Sequence, residues 1–373
     1  AAAKRLGADS ADAIYVGDGS TGIGVRMGVL EDIGRSEGEE VGLRVFVGQR
    51  SASVSSSDLS VEALQQAVER AVAMAREAPE DAYAGLAPAE LLMRDTPRDL
   101  DIDDGGEISA ETLKDMALAA EDAARAVAGV TNSEGGSASS GRAVMALATS
   151  TGFARGYHGT SYGVSASVIA GEGTGMQRDY AYHSSRYATD LETPESIGLR
   201  AGTRAVRRLG PIKLDTQSLP VVFDPRVGGG MLSALIGAIT GSSIARKTSF
   251  LLDAMGTQVF APGIRIIDQP HRLRGLRSKP FDGEGLPTAE RAIIDDGVLT
   301  GWLMESASAR QLGLTPTGHA ARGVSGPPGA GTSNLHMAAG STSRADMIGS
   351  IKYGLYVTEM IGMGVNGLTG DYS

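Results

Sequence analysis

The sequence predicts an α+β protein: an N-terminal antiparallel sheet covered by helices, followed by a mostly β C-terminal domain carrying one buried glycine-rich helix. Three observations predict it. Apolar and polar residues alternate between glycine-rich turns in AIYVGDGSTGIGVRMGVLEDIG and EEVGLRVFVGQRSASVSSS, the period of half-buried antiparallel strands. Two later segments carry apolar stripes at helical spacing behind a serine cap. Beyond residue 211 a short apolar run, LPVVFD, leads into GGGMLSALIGAITGSSIA, which has no charged side chain.

Taken in order, the opening meander gives way to SVEALQQAVERAVAMAREA, where Val61, Leu64, Val68, Ala71, Val72 and Ala75 form one face behind a Ser60 N-cap. SAETLKDMALAAEDAARAV repeats the design from Ser109, with Leu113, Met116, Ala117, Ala120, Ala124 and Val127 as its stripe. Both helices are expected on one face of the sheet. Strand alternation returns in RAVMALATS, YGVSASVIAGEG and MQRDYAYHSSRYA. A third helix, TPESIGLRAGTRAVRRL, has Pro194 in its first turn and stops before Gly210-Pro211. The domain boundary is set there, giving residues 1–211 and 212–373, and a chain of 373 residues exceeds what one hydrophobic core usually serves. In the second domain LPVVFD reads as a short buried strand, and ERAIIDDGVLTGWLME as a hairpin around Asp295-Asp296-Gly297. From Pro316 onward, glycine-, serine- and proline-rich loops precede a helix near residues 344–353. Long ordered loops of this kind usually border a site. The first residues, AAAKRLGADSADA, read as the end of a helix cut from a longer chain, and GLTGDYS ends equally abruptly.

A net charge of −10 with no basic run argues against direct nucleic-acid binding. The absence of cysteine excludes disulfides, thiolate nucleophiles and cysteine-ligated metal within these residues, and places the protein in the cytoplasm. Nineteen uncharged residues run from Val227 to Ala245, but five are glycine and four serine or threonine, which makes a buried helix rather than a membrane span.

Several motifs lose their usual meaning in context. Gly17, Gly19 and Gly22 form GxGxxG, yet strand-like IGVRMGVL follows where a dinucleotide site needs a helix, so a hairpin turn is expected. Asp101, Asp103 and Asp104 lack the glycine and closing glutamate of a calcium loop and read as a solvated turn. Gly228–Gly230, placed before a helix, could cradle an anion, but without the GK[ST] ending of a nucleotide loop. The five histidines, His158, His183, His271, His319 and His336, are dispersed, with no ligand spacing among them. His158 and His183 belong to strand faces. His319 and His336 lie in the loop-rich third, where a structural role competes with catalysis.

The run FDGEGLPTAERAIIDDGVLTGWLMESASARQLGL, followed by PTGHA at 316–320 and GTSNLHM at 331–337, resembles the TldD/PmbA family, historically called modulators of DNA gyrase. The similarity spans nearly the whole chain. It implies one of two kinds of subunit that associate as a heterodimeric zinc metalloprotease. The catalytic kind carries HExxxH on the helix after a PVVFDP-like strand, and a cysteine near its C-terminal end. Laid on MLSALIGAITG, the motif's ligand positions fall on Ser233 and Ala238 and its glutamate on Ala234. None of these binds zinc or acts as a base.

The resemblance therefore implies the PmbA, or TldE, kind, with no catalytic residue, no metal and no cofactor of its own. Zinc would come with a TldD-like HExxxH partner, and the substrate would be a peptide or an unfolded protein. A homodimer is possible when the chain is alone. Residues five apart on a regular helix lie about 140° from each other, so HExxxH needs a local distortion that Gly237 would preserve. The loops holding Gly318-His319 and Ser333-Asn334 are expected to border a substrate cleft near the N-terminal end of the Gly228 helix. Two other functions stay open at this point: a stand-alone peptidase with an unrecognised site, and a regulatory binding protein linked to gyrase.

Overall fold

A computed structural model describes residues 1–361 and 364–371. After a short helix α1 (Ala2–Arg5), three strands, β1 (Ser10–Arg26), β2 (Val29–Val47) and β3 (Arg50–Ser56), form the predicted meander. Helix α2 (Val61–Glu77) follows, then α3 (Ala110–Arg125), β4 (Val130–Thr149), β5 (Ala154–Ala170), β6 (Gln177–Ser185) and α4 (Pro194–Arg207). All six strands join one antiparallel sheet in the order β3-β2-β1-β4-β5-β6. The hairpin turn lies at Met27-Gly28, where φ is 52° and 77°. Gly17, Gly19 and Gly22 are therefore not a turn. They lie inside β1, opposite Glu39, Glu37 and Gly34 of β2. A glycine-rich strand and a glycine-rich turn look alike in sequence, and here pairing on both sides of β1 holds the glycines extended.

The two serine caps hold as expected, and the third long helix has a cap at Thr193. Ser60 accepts from the Ala63 amide, Ser109 from Thr112 and Thr193 from Ser196. Helix α2 buries Ala71, Val72 and Ala75 against Val45 and Val54. Helices α3 and α4 bury Leu113, Ala120 and Ile197 against Ile23, Val25, Val164 and Val168. Leu43 opposite Ala13, and Ile23 ten residues on, fall on the same side of the pleat, so all three helices cover one face. Gly198 lets α4 approach α3 closely, since a Cβ there would come within 2.1 Å of the Ala120 carbonyl oxygen.

The second half is built from small pieces. Strand β7 (Val221–Phe223), α5 (Pro225–Ala238), α6 (Gly241–Ala245), β8 (Ile266–Asp268), β9 (Arg291–Asp295) and β10 (Val298–Leu299) precede α7 (Ser306–Leu312). Then come β11 (Ala320–Ala321), β12 (Gly329–Ala330), β13 (Leu335–Met337), α8 (Arg344–Gly349) and β14 (Leu355–Val357). A four-stranded sheet, β10-β9-β8-β13, carries the core of Ile239, Ile266, Ile293, Ile294, Leu299 and Leu303. The hairpin at Asp296 and Gly297 has φ of 50° and 80°, as its sequence requires. Strand β7 pairs in parallel with β14, and its expected burial does not occur, because Val221 and Phe223 are exposed.

The two halves meet on the face of the sheet opposite the helices. Ile14 and Leu147 pack there against Phe281 and Leu286, with Phe153 edge-on to Phe281 at 5.2 Å. Beside this contact Asp12, 3 % exposed, lies between two guanidinium groups: Arg44 Nη2 at 2.6 Å and Arg322 Nη1 at 2.5 Å. Arg44 also lies 3.9 Å from Glu284, which accepts the Ser306 amide proton at 2.8 Å. The Asp101–Asp104 segment is likewise no solvated turn. Asp103 takes Arg142 and His158, Asp104 takes the Tyr162 hydroxyl at 2.6 Å, and Asp101 takes Tyr187 and Arg274, which tie the loop to the sheet and to the second half.

Removing one partner from a buried charge cluster leaves the others uncompensated. Asp12→Ala is expected to cost about 3–5 kcal/mol in chemical unfolding. A change under about 1 kcal/mol, the range of exposed pairs, would contradict this placement.

Candidate functional site

The helix that the sequence singles out is α5. Asp224 caps it, accepting the Arg226 amide at 3.0 Å and the Tyr356 hydroxyl, and Pro225 fits its first turn. Burial pushes the Asp224 carboxyl up, but these hydrogen bonds outweigh it and hold the group below the usual carboxylate range. Arg226 reaches back to the sheet. Its Nη1 lies 2.9 Å from Asp179 on β6, and its guanidinium stands 5.8 Å from the Tyr180 ring centroid.

Helix α5 is not the buried helix that the sequence predicts. Val227, Leu235 and Ala238 face inward, whereas Gly229, Gly230, Met231, Ser233 and Gly237 are exposed. An uncharged stretch reads as core, yet glycines contribute little apolar area for a core to bury. Ser233 donates its hydroxyl to the Gly229 carbonyl at 2.9 Å. Ala234 and Ala238 offer no donor atom. The helix ends at Ala238, after which the Ile239 amide is shared between the Leu235 and Ile236 carbonyls, and Thr240 caps α6. Around Gly237 the chain thus comes to a helix end, with the Gly237 carbonyl accepting the Ser243 hydroxyl at 2.9 Å. As a zinc site the positions that the resemblance assigns do not fit: Ser233 has one hydroxyl bonded to its own backbone, and Ala234 and Ala238 have only methyl groups. Among the described residues no group of three or more His, Cys, Asp or Glu is placed to hold a metal.

The loop residues expected at a cleft converge elsewhere. Ser333 donates its amide and its hydroxyl to Asp268, at 2.9 and 2.7 Å, and His319 Nε2 lies 3.5 Å from the same carboxylate. Asn334 donates to the Gln269 carbonyl and to Ser278 and accepts from the Arg277 amide. Gly318, at φ 72°, packs on the Pro287 carbonyl. His319 and Ser333 are 4 % and 3 % exposed, so their polar atoms face a buried carboxylate rather than a cleft. Thr317, His319 and Asp268 have the hydroxyl–imidazole–carboxylate order of a hydrolase relay, with Thr317 Oγ1 3.0 Å from Nδ1. That oxygen already accepts the Met304 amide proton at 2.8 Å, and burial keeps a substrate from the imidazole.

Next to the start of α5 lies the part of the sheet that neither helices nor the second half covers. One row across β2, β1, β4, β5 and β6 reads Gly34, Gly22, Ser139, Gly163, Ser184, and the next reads Asp32, Gly24, Ser137, Ser165, Tyr182. Tyr180 and Tyr182 stack at its edge, 6.2 Å apart. Neither this pavement nor Arg226 emerged from the sequence reading. The signals available were the serine and glycine at every second position of the strands, and Arg226 directly after Asp224-Pro225.

Comparison with known proteins agrees with this architecture. Three family models match in order: PmbA/TldA metallopeptidase domain 1 over residues 11–75, the central domain over 103–209 and the C-terminal domain over 216–373. Metalloprotease PmbA of Escherichia coli O157:H7 is 42% identical across 95% of this chain and 77% of that protein. The chain belongs to the PmbA/TldD metallopeptidase family. A Haemophilus influenzae PmbA homologue is 36% identical over 100% of this chain and 80% of its own length. A crystal structure described as that of a modulator of DNA gyrase from Bacteroides thetaiotaomicron superposes with a TM-score of 0.91 at 26% identity, covering 100% of this chain and 82% of that one. TldE of Thermococcus kodakarensis shares the fold, with a TM-score of 0.84 at 20% identity over 97% of this chain and 83% of that one. In this PmbA/TldD chain no histidine is followed by glutamate, so HExxxH is absent from the sequence itself.

Burial pushes the Asp268 carboxyl up, but hydrogen bonds from His319 and Ser333 prevail and hold it below its ordinary value. A depressed carboxylate contributes stability above its unfolded pKa, and loses that contribution as pH falls through the folded value. Asp268→Asn is therefore expected to be less stable at pH 7 and to show a shallower loss of stability below about pH 4. Urea unfolding across that range checks it, and an unchanged acid slope would show that the carboxylate is not so held.

Proposed function

We propose that this chain is the non-catalytic subunit of a two-subunit zinc metalloprotease, whose HExxxH-bearing TldD-type partner supplies the metal and the general base. One observation carries the reading: at the positions where the family's motif would fall, α5 presents Ser233, Ala234 and Ala238, with the only hydroxyl bonded to Gly229. The helix is nonetheless capped, anchored to β6 and open on its outer face, so the scaffold is kept where the ligands are not. The bare sheet beside it, paved with glycine and serine and edged by two tyrosines, suits a substrate whose side chains vary, as in an unfolded protein or a peptide. The saturated Thr317 hydroxyl weighs against a stand-alone hydrolase built on that relay. Among the described residues no helix is long and apolar enough to cross a membrane. The reading keeps the cytoplasmic location expected from the sequence.

The test is hydrolysis of an unfolded protein by this chain, by an HExxxH-bearing relative and by the mixture. Only the mixture is expected to cleave, with activity lost to a chelator and to replacement of the relative's histidines. Ser233→Ala is expected to stay within about twofold, because a hydroxyl committed to its own helix supplies no ligand. Chelator-sensitive cleavage by this chain alone would overturn the proposal.

A further inference from the structure

Strand β2 runs from Val29 to Val47, but β3 pairs only with Val41–Val47. From Val29 to Glu40 its outer edge has no partner among the described residues, and every residue from Val29 to Glu39 is exposed. Such an edge is a row of unsatisfied backbone groups ready to take another strand. This stretch, VLEDIGRSEGEE, contains no lysine or proline to blunt it. It is acidic instead, with Glu31, Asp32, Glu37, Glu39 and Glu40 against Arg35 alone. Two copies laid edge to edge would set carboxylates against carboxylates, which disfavours self-pairing.

The edge also borders a hollow of about 560 Å³ on the helix-covered face, lined by β1, β2, β4 and the loop before α3. Its lining includes Gly17, over which the Tyr15 side chain lies, and Gly19, together with Asp18, Glu37, Glu39 and Glu107. Both arginines of the lining are already engaged: Arg35 with Glu37 at 2.5 Å, and Arg142 with Asp103 at 2.8 Å. The carboxylates are left in excess.

We propose that the free edge of β2 from Val29 to Glu40 docks an extended, lysine- or arginine-bearing polypeptide strand, whose alternate side chains enter the adjoining acidic hollow. The backbone supplies pairing without regard to sequence, and the hollow selects charge at every second position. The site belongs to this chain alone and does not depend on its role in a protease.

Fluorescence anisotropy of the intact chain with a labelled peptide alternating Lys and Thr tests it without any partner subunit. Binding is expected for this peptide and not for its Glu–Thr counterpart. It should weaken about tenfold or more with the Glu37→Gln/Glu39→Gln/Glu107→Gln variant, whose thermal unfolding reports its fold. A Lys–Thr peptide methylated on alternate backbone nitrogens keeps its charge and loses its donors, and should weaken by a similar factor. Failure of the Lys–Thr peptide to bind, equal binding of the Glu–Thr peptide, or full affinity of the methylated peptide, which marks surface attraction without strand pairing, would each overturn the proposal.

Discussion

The geometry of this molecule depends on one buried carboxylate. Asp12, on β1, is held between Arg44 of the neighbouring β2 and Arg322 from the loop after β11, and that pairing joins the long sheet to the second half. Desolvating three charges is costly, and the arrangement stabilises the fold only because each has a partner in reach. The surrounding backbone is fitted to it. A Cβ on Gly42 would come within 2.1 Å of the Val324 carbonyl oxygen, so the segment after Arg322 lies directly against β2. Arg310 extends the seam by donating to the Tyr83, Gly85 and Leu86 carbonyls. With the halves fixed, α5 is held at both ends, by Arg226 on β6 at its start and by the Leu303 backbone just past its finish.

Local features of this fold were legible in the sequence, and distant ones were not. The caps at Ser60 and Ser109 and the stripes behind them are statements about neighbours within a turn or two, and they appear as expected except for the exposed Val61. Strand alternation revealed the sheet but not its bare face, because serine and glycine at every second position look like ordinary polar positions until nothing is found to cover them. Glycines inside β1 looked like a turn because pairing on both sides, not local preference, keeps them extended. A helix does lie at Gly228, but it opens three residues earlier at Pro225, ends at Ala238 and is half exposed, since absence of charge is not presence of apolar area. No spacing rule links Asp268 to Ser333, 65 residues later, or to His319, so two residues expected at a cleft proved to serve a buried carboxylate. Nor does any local signal link the aspartates at 101–104 to the arginine at 274 that engages the first of them.

Where the proposed reading puts the family's metal motif, α5 offers architecture without donors. An enzyme site needs a rigid frame and reactive groups, and α5 has the frame alone: cap, anchor, exposed face and a helix end at Ala238. The glycines on the exposed face of α5 have open space around them, since a Cβ added at Gly229, Gly230 or Gly237 would meet nothing within 4 Å. A face so lightly built, beside a sheet so lightly paved, leaves room for something to approach closely from outside this chain.

Native mass spectrometry of this chain mixed with an HExxxH-bearing PmbA/TldD relative tests the central claim most directly. The account predicts a heterodimer carrying zinc that is lost when the relative's histidines are replaced, and no zinc on this chain alone, because a closed site needs about four ligands and α5 offers none. Zinc held tightly by this chain by itself, or retained by the complex after the relative's motif is removed, would contradict it.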